Sequence, residues 1–125
     1  RAKAAIAAWA LETHTMLVIA GAAGGKRRPH EVQVDDLGLV THDPLLASLR
    51  QRLRKFHGAA RTGKIGVRCV FSREAVAPPD ASCAIDGAAT DSTLNCHGYG
   101  SSVAVTATFG MVAASLALES SAVQK

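Results

Sequence analysis

A glycine-rich segment at residues 21–25 is followed directly by Lys26, and backbone N–H groups next to one ammonium group can hold phosphate oxygens. The segment departs from a phosphate-binding P-loop at two positions. Ala20 stands where the motif begins with glycine, and Arg27 stands where a serine or threonine would bind magnesium. Because Pro29 follows where a helix should begin, we interpret the segment as a structural turn after a strand, with a nucleotide-binding loop as the alternative.

Thiol or metal chemistry could come from three cysteines, Cys69, Cys83 and Cys96, the last with His97 beside it. Structural zinc sites use two pairs of closely spaced ligands, and here only Cys96 and His97 are close, so no metal site is expected. Cys83 and Cys96 are candidate catalytic nucleophiles, because exposed thiols near basic groups lose their proton easily. The alternative is that Cys83 and Cys96 only pack within the loop and have no chemical role. An odd number of cysteines without a close pair favours a reducing compartment, the cytoplasm.

Seven basic residues and no acidic residue lie between positions 50 and 68, in a chain whose net charge is +4 and whose pI is about 9.3. Such a surface can follow RNA phosphates, and a merely solvated face is the alternative. The candidate RNA-binding residues are Arg50, Arg54, Lys55, Arg61 and Lys64. Aromatic residues are only 4% of the chain, which argues against recognition by base stacking.

A length of 125 residues allows one domain with one core and excludes a multidomain enzyme within this chain. Hydrophobic residues at 48% and charged residues at 19% predict a folded chain. We expect no signal peptide, because Glu12 and His14 close the N-terminal alanine run. The apolar stretch 103–118 falls short of the ~20 residues that span a bilayer, so we expect a helix buried against the sheet or a partner and no membrane span.

Hydrophobic periodicity predicts helices, strands and one long loop that must position these residues. Residues 1–12 form a predicted helix with an apolar face of Ile6, Trp9 and Ala10. The predicted strands are 16–20, a half-buried strand around Val32 and Val34, and 65–71, in which Cys69 lies with the apolar set and Val70 with the other face. Between the last two strands, Asp43 and Pro44 begin a helix that ends at Gly58. A long loop covers 73–102, and a helix follows from 103 to about 120.

The segments RAKAAIAAW at 1–9, GAAGG at 21–25, VDDL at 34–37, THDPLL at 41–46, RQRLRK at 50–55, GVRCVFSRE at 66–74 and TATFG at 106–110 resemble the C-terminal half of bacterial ThiF/MoeB/HesA-type proteins. These proteins are related to ubiquitin-activating enzymes. The resemblance covers nearly all of the chain. Its most specific parts are CVFS at 69–72 together with Glu74, and TATFG at 106–110. It implies an α/β fold: the C-terminal mixed-sheet half of a Rossmann-like adenylating (ThiF-type) domain, with helices packed on the sheet and a long crossover-type loop.

The resemblance also implies an activity, the ATP-dependent adenylation of a carboxylate. In the subgroup that shares these motifs, the carboxylate belongs to threonylcarbamoyladenosine in tRNA, and cyclisation expels AMP so that water is lost overall. ATP and magnesium would be held by an N-terminal half that has no counterpart here, so this chain alone is expected to be inactive. The implied partners are tRNA, a second copy in a homodimer and a sulfur-transfer protein of the same pathway.

Relatives that transfer sulfur or ubiquitin-like proteins use a cysteine on the crossover loop. That role would fall in the long loop, where Cys83 and Cys96 are the candidates. The paired zinc-binding cysteines of some relatives are absent. A non-catalytic dimerisation or RNA-docking module is the alternative function.

Overall fold

Three α-helices and three strands are found in residues 1–76 and 100–123, the part of the chain that this computed structural model describes. In chain order they are α1 (Ala2–Glu12), β1 (Val18–Ala20), β2 (Val32–Asp36), α2 (Pro44–Phe56), β3 (Arg68–Ser72) and α3 (Val103–Val123), with a 3-10 turn at Pro29–Glu31. Each predicted helix and strand is present, although β1 is shorter than expected. Most of the predicted loop at 73–102 lies outside the described residues.

The strands form one mixed sheet in the order β1-β3-β2. β1 runs parallel to β3, with Val18 opposite Arg68, and β2 runs antiparallel to β3, with Val32 opposite Ser72. The strand that comes last in the sequence therefore lies in the centre. This arrangement confirms the prediction of an α/β fold with a mixed sheet.

Both faces of β3 are covered. Cys69 and Phe71 are fully buried in a core shared with α1 and α2, as the alternation predicted. Val70 is also fully buried, in a second core with Val105 and Phe109 of α3. Val70 thus lies on the face opposite Cys69, as the alternation predicted, and α3 covers that face because a central strand of an α/β sheet has helices on both sides.

Helix α1 packs through its alanines. Ala4, Ala7 and Ala10 are buried, whereas Ile6 and Trp9 are 52% and 55% exposed. The predicted face of Ile6, Trp9 and Ala10 is correct only for Ala10. Small side chains let two helices approach closely, and α1 lies against α2 through this alanine face.

Helix α2 confirms its prediction most closely. The Asp43 carboxylate accepts a hydrogen bond from the Leu46 N–H at 3.0 Å and so caps the helix, and Pro44 occupies its first turn. Leu46, Leu49 and Leu53 are buried. The chain leaves the helix through Gly58, whose φ of +68° lies in the left-handed region that favours glycine.

Helix α3 is buried on one side within the chain. Val105, Phe109 and Leu116 pack on the sheet, while Val103, Met111 and Leu118 are more than 70% exposed. The helix is also longer than the apolar stretch suggested. By length and composition alone, Val103–Ser121, with a mean hydropathy of 1.5, would suffice to cross a membrane. One side of α3 is thus buried against the sheet, and burial of the other side against a partner stays a prediction.

Candidate functional site

The carboxyl ends of β1 and β3 meet at the glycine-rich loop, the position where open α/β sheets place ligands. The Gly21 N–H donates to the Val70 carbonyl oxygen at 2.8 Å, and the Ala22 N–H donates to Asp43 Oδ2 at 2.8 Å. A Cβ atom on Gly21 would lie 2.1 Å from Asp43 Oδ2. Glycine is therefore required here for a close approach between the loop and the N-terminus of α2.

The side chain of Lys26 points into the protein. It is 2% exposed, and its Nζ donates to the Ser72 carbonyl oxygen at 2.7 Å. Burial lowers the pKa of this ammonium group, against the opposing effect of the Asp43 and Glu74 charges. Lys26 thus links the glycine-rich loop to the end of β3.

Glu74 holds the same loop from the other side. Its carboxylate oxygens accept hydrogen bonds from the Arg27 and Arg28 N–H groups at 2.8 and 2.9 Å. Although desolvation acts to raise it, the pKa of Glu74 is lowered by these two backbone donors and by the charges of Arg28 and Lys26. The Lys26 ammonium and the Arg27 and Arg28 N–H groups are thus all hydrogen-bonded within the described chain. The segment forms a turn after β1, as predicted.

Cys69 is unsuited to thiol chemistry. Its side chain is fully buried, and its pKa is raised to about 12 by burial and by the negative charges of Asp36, Asp43 and Asp35, against the positive charge of Arg50. A thiol in this state is neutral and shielded at physiological pH. Cys83, Cys96 and His97 lie outside the described residues, so their predicted roles stay predictions. Within the described residues no group of three His, Cys, Asp or Glu side chains is placed to hold a metal ion.

Four of the five predicted RNA-binding residues lie together. A groove of about 600 Å³ runs between α2 and the segment that follows it. Its described lining, which we call the basic groove, consists of Ala47, Arg50, Gln51, Arg54, Lys55 and Arg61. Lys64 is exposed but is not part of this lining. The basic segment of the sequence therefore converges on one concave surface.

Two of the groove arginines also donate hydrogen bonds to backbone carbonyl groups. The Arg50 guanidinium donates to the carbonyl oxygens of Leu37 and Val40 at 3.2 and 2.7 Å. Arg54 Nε donates to the Ala60 carbonyl oxygen at 2.8 Å. Arg50 thus acts mainly as a structural cation, whereas Arg54 retains its terminal nitrogens without a partner among the described residues.

Sequence reasoning missed the carboxylates that assemble this region. Asp43 was identified only as a helix cap, and Glu74 only as part of a motif, yet each bonds backbone groups far away in the chain. The partners are 21 and 47 residues distant. The only sequence signal was the glycine-rich loop itself, which implied that some acceptor must bind its N–H groups.

Comparison with known proteins shows which enzymes this chain is similar to. The chain is 42% identical over 126 residues to the tRNA threonylcarbamoyladenosine dehydratase of Escherichia coli strain K12, and 32% identical over 122 residues to that of Haemophilus influenzae. Each match covers 95% of this chain but only 47% and 46% of the relatives, so the chain spans about half their length. No family model matches the chain.

Solved structures give the same result. The E. coli dehydratase in complex with AMP superposes with a TM-score of 0.79 and 39% identity, covering 99% of this chain and 45% of that one. The same enzyme in complex with ATP also gives a TM-score of 0.79, with 44% of its chain covered. The chain is thus similar to the C-terminal part of a ThiF-type protein. More specifically, it resembles tRNA threonylcarbamoyladenosine dehydratase, which confirms the resemblance carried by the sequence motifs.

Proposed function

We propose that this chain forms the C-terminal part of an enzyme that activates the carboxylate of threonylcarbamoyladenosine in tRNA with ATP and cyclises it with loss of water. The observation that carries the proposal is 42% identity to such a dehydratase over 95% of the chain. The fold match, with a TM-score of 0.79, agrees with it. The substrate would be tRNA in the cytoplasm, and a homodimer and a sulfur-transfer partner are part of the same proposal.

The described residues supply scaffold and surface rather than the nucleotide site. The glycine-rich loop is closed by Lys26 and Glu74, so ATP and Mg²⁺ are proposed to bind to the N-terminal half of the enzyme. Adenylation would turn a carboxylate oxygen into a good leaving group, and ring closure would then expel AMP. By this division of labour, the 125-residue chain is not expected to catalyse the reaction by itself.

A chimaeric enzyme tests the proposal. The segment of the E. coli dehydratase that matches this chain is replaced by the chain, and the product is incubated with ATP and tRNA that carries threonylcarbamoyladenosine. Mass spectrometry of the digested tRNA should show the modified nucleoside lighter by one water. The chain alone should give no such product.

The parent E. coli enzyme is the positive control, and ATP binding by the chimaera shows that its N-terminal half is folded. A chimaera that binds ATP and tRNA yet leaves the nucleoside unchanged would contradict the proposed activity. Cyclisation by the 125-residue chain alone would contradict the assignment of the nucleotide site to the other half.

A second candidate function is a non-catalytic module for dimerisation or RNA docking. The exposed apolar residues Val103, Met111 and Leu118 of α3 favour assembly with another surface, and the basic groove favours RNA. This candidate predicts tRNA binding by the chain with no ATP-dependent product in the chimaera. The mass-spectrometric assay therefore separates the two candidates.

A further inference from the structure

We infer that the basic groove is a docking site for the phosphodiester backbone of a folded RNA, contacted by Arg54, Lys55 and Arg61 and positioned by Arg50. The inference rests on the proposed function in one respect: it takes tRNA as the RNA concerned. It adds a surface, a set of contacting residues and a division of roles that the resemblance to relatives does not provide.

The groove is held open by contacts within the described chain. After α2 the chain turns back through Gly58, and the Ala59 N–H donates to the Leu53 carbonyl oxygen at 3.2 Å. Arg54 Nε fixes the next residue, Ala60. Arg61 follows directly and is thereby brought opposite α2. A binding surface fixed in this way loses less conformational entropy when a ligand binds.

The charge of the groove is not neutralised from within the described residues. Its described lining contains no carboxylate. The two ion pairs in the described part of the chain, Arg28–Glu31 and Arg73–Asp35, involve none of its cations. Three arginines and one lysine therefore face one concave space and attract an anion whose charge is spread over several groups.

The residue types of the described lining favour RNA over an acidic protein. Protein interfaces are centred on buried apolar or aromatic anchors, and the one apolar residue type in the described lining is the small Ala47. Phosphates need only cations and hydrogen-bond donors, which the guanidinium groups, the Lys55 ammonium and the Gln51 amide supply. The groove thus fits a backbone of repeated phosphates, with recognition by charge and shape.

The roles of the cations follow from their partners. Arg50 is half-buried and donates to two backbone carbonyls, which makes it a positioning residue. Lys55 and Arg61 are exposed, and neither has a hydrogen-bond or ion-pair partner among the described residues. The Lys55 ammonium lies 5.2 Å from the centre of the Phe56 ring, which is itself exposed, so changing the two cations removes no contact with the core.

Binding of tRNA carrying threonylcarbamoyladenosine to the full chain, followed by fluorescence anisotropy over a range of salt concentrations, tests the inference. Each phosphate contact contributes about 0.7–0.9 to the slope of log K against log salt. The variant Lys55→Gln/Arg61→Gln should therefore reduce this slope by roughly 1.4–1.8. The ratio of its Kd for tRNA to that of the wild type should fall by about tenfold between 50 and 200 mM salt.

The matched control is Lys3→Gln/Arg27→Gln, which removes the same charge from exposed residues outside the groove. It should leave the salt slope close to that of the wild type. An equal loss in both variants, or no loss in the groove variant, would overturn the inference. So would a groove variant that loses binding to polyglutamate while keeping its affinity for tRNA, because the site would then serve an acidic protein.

The chimaera separates this inference from the proposed function. If only the groove assignment is wrong, the chimaera with Lys55→Gln/Arg61→Gln will cyclise tRNA with an unchanged KM. If only the activity is wrong, tRNA binding will depend on the groove while no cyclised nucleoside forms. Where both are correct, KM for tRNA rises in the groove variant and kcat changes little.

Discussion

Lys26 is a cation that folding removes from water, so its effect on stability depends on pH. Burial lowers its pKa below the ordinary value of 10.5, and the charges of Asp43 and Glu74 oppose only part of that shift. The unfolded chain therefore holds this proton more tightly than the folded chain. Between the lowered pKa and 10.5, the contribution of Lys26 to the free energy of unfolding rises with pH.

The variant Lys26→Met should reveal this dependence. As pH is raised toward 10.5, the free energy of unfolding of the wild type should increase relative to that of the variant. Urea unfolding at a series of pH values measures the difference, and titrations unrelated to Lys26 cancel in it. A difference that does not change with pH would contradict the assignment of a lowered pKa.

Gly21 and Gly110 provide a matched pair of glycine substitutions. Gly21→Ala would place a Cβ atom 2.1 Å from Asp43 Oδ2, and relieving that overlap should cost about 1–3 kcal/mol. Gly110 lies inside α3, and a Cβ atom there meets nothing within 4 Å. Gly110→Ala should therefore stabilise the chain by up to about 1 kcal/mol through helix propensity.

Thermal unfolding measures both changes. Gly21→Ala should lower Tm and Gly110→Ala should raise it, although the same methyl group is added at both positions. Equal shifts in Tm would show that the approach between the glycine-rich loop and Asp43 is not a constraint.

At the scale of elements, Asp43 joins α2 to the glycine-rich loop. One carboxylate oxygen caps the helix through the Leu46 N–H, and the other accepts from the Ala22 N–H. Asp43→Ala removes both acceptors and should cost about 2 kcal/mol or more, from a lost cap and an unpaired part-buried donor. Asp43→Asn keeps one oxygen acceptor and should cost about half as much.

Hydrogen exchange locates the effect. In Asp43→Ala the amide protons of Ala22 and of the first turn of α2 should lose protection together. Loss confined to α2 would mean that Asp43 is a helix cap alone and that the loop is held by Lys26 and Glu74.

Local signals made some elements predictable, and long-range contacts made others unpredictable. Asp43, Pro44 and a leucine stripe lie within α2 itself, so the sequence alone defines the start and the buried face of that helix. Burial of Val70 depends on α3, which lies more than 30 residues further on. The alanine face of α1 was missed because the larger Ile6 and Trp9 dominate the apolar pattern.

The candidate site was likewise only partly predictable from the sequence. A run of basic residues without acids was visible in the sequence, and four of the five predicted residues share one groove. Their hydrogen bonds were not predictable, because the acceptors of Arg50 are carbonyl groups 10 and 13 residues away. The hydrogen bonds between Glu74 and the glycine-rich loop span 46 and 47 residues, so no local sequence pattern predicts them.

For the whole molecule, the exposed side of α3 predicts association. Val103, Met111 and Leu118 are 71–78% exposed, and an apolar surface of this kind favours contact with another apolar surface. Met111→Glu/Leu118→Glu should leave the stability of the fold nearly unchanged and reduce self-association of the chain. Light scattering as a function of concentration measures the effect, and Gly110→Ala on the same helix serves as a variant without added charge.

The central position of β3 fixes the order in which the sheet can be built. Val18 pairs with Arg68, and Val32 pairs with Ser72, so β1 and β2 have no described partner strand until residues 68–72 have been synthesised. As the chain leaves the ribosome, α2 can form early from local signals, but the sheet must wait for its middle strand. Pairings this distant in sequence close large loops before any hydrogen bond of the ladder forms, which makes folding slow. Until residues 68–72 have been synthesised, the faces of α1 and α2 that pack on Cys69 and Phe71 lack that strand.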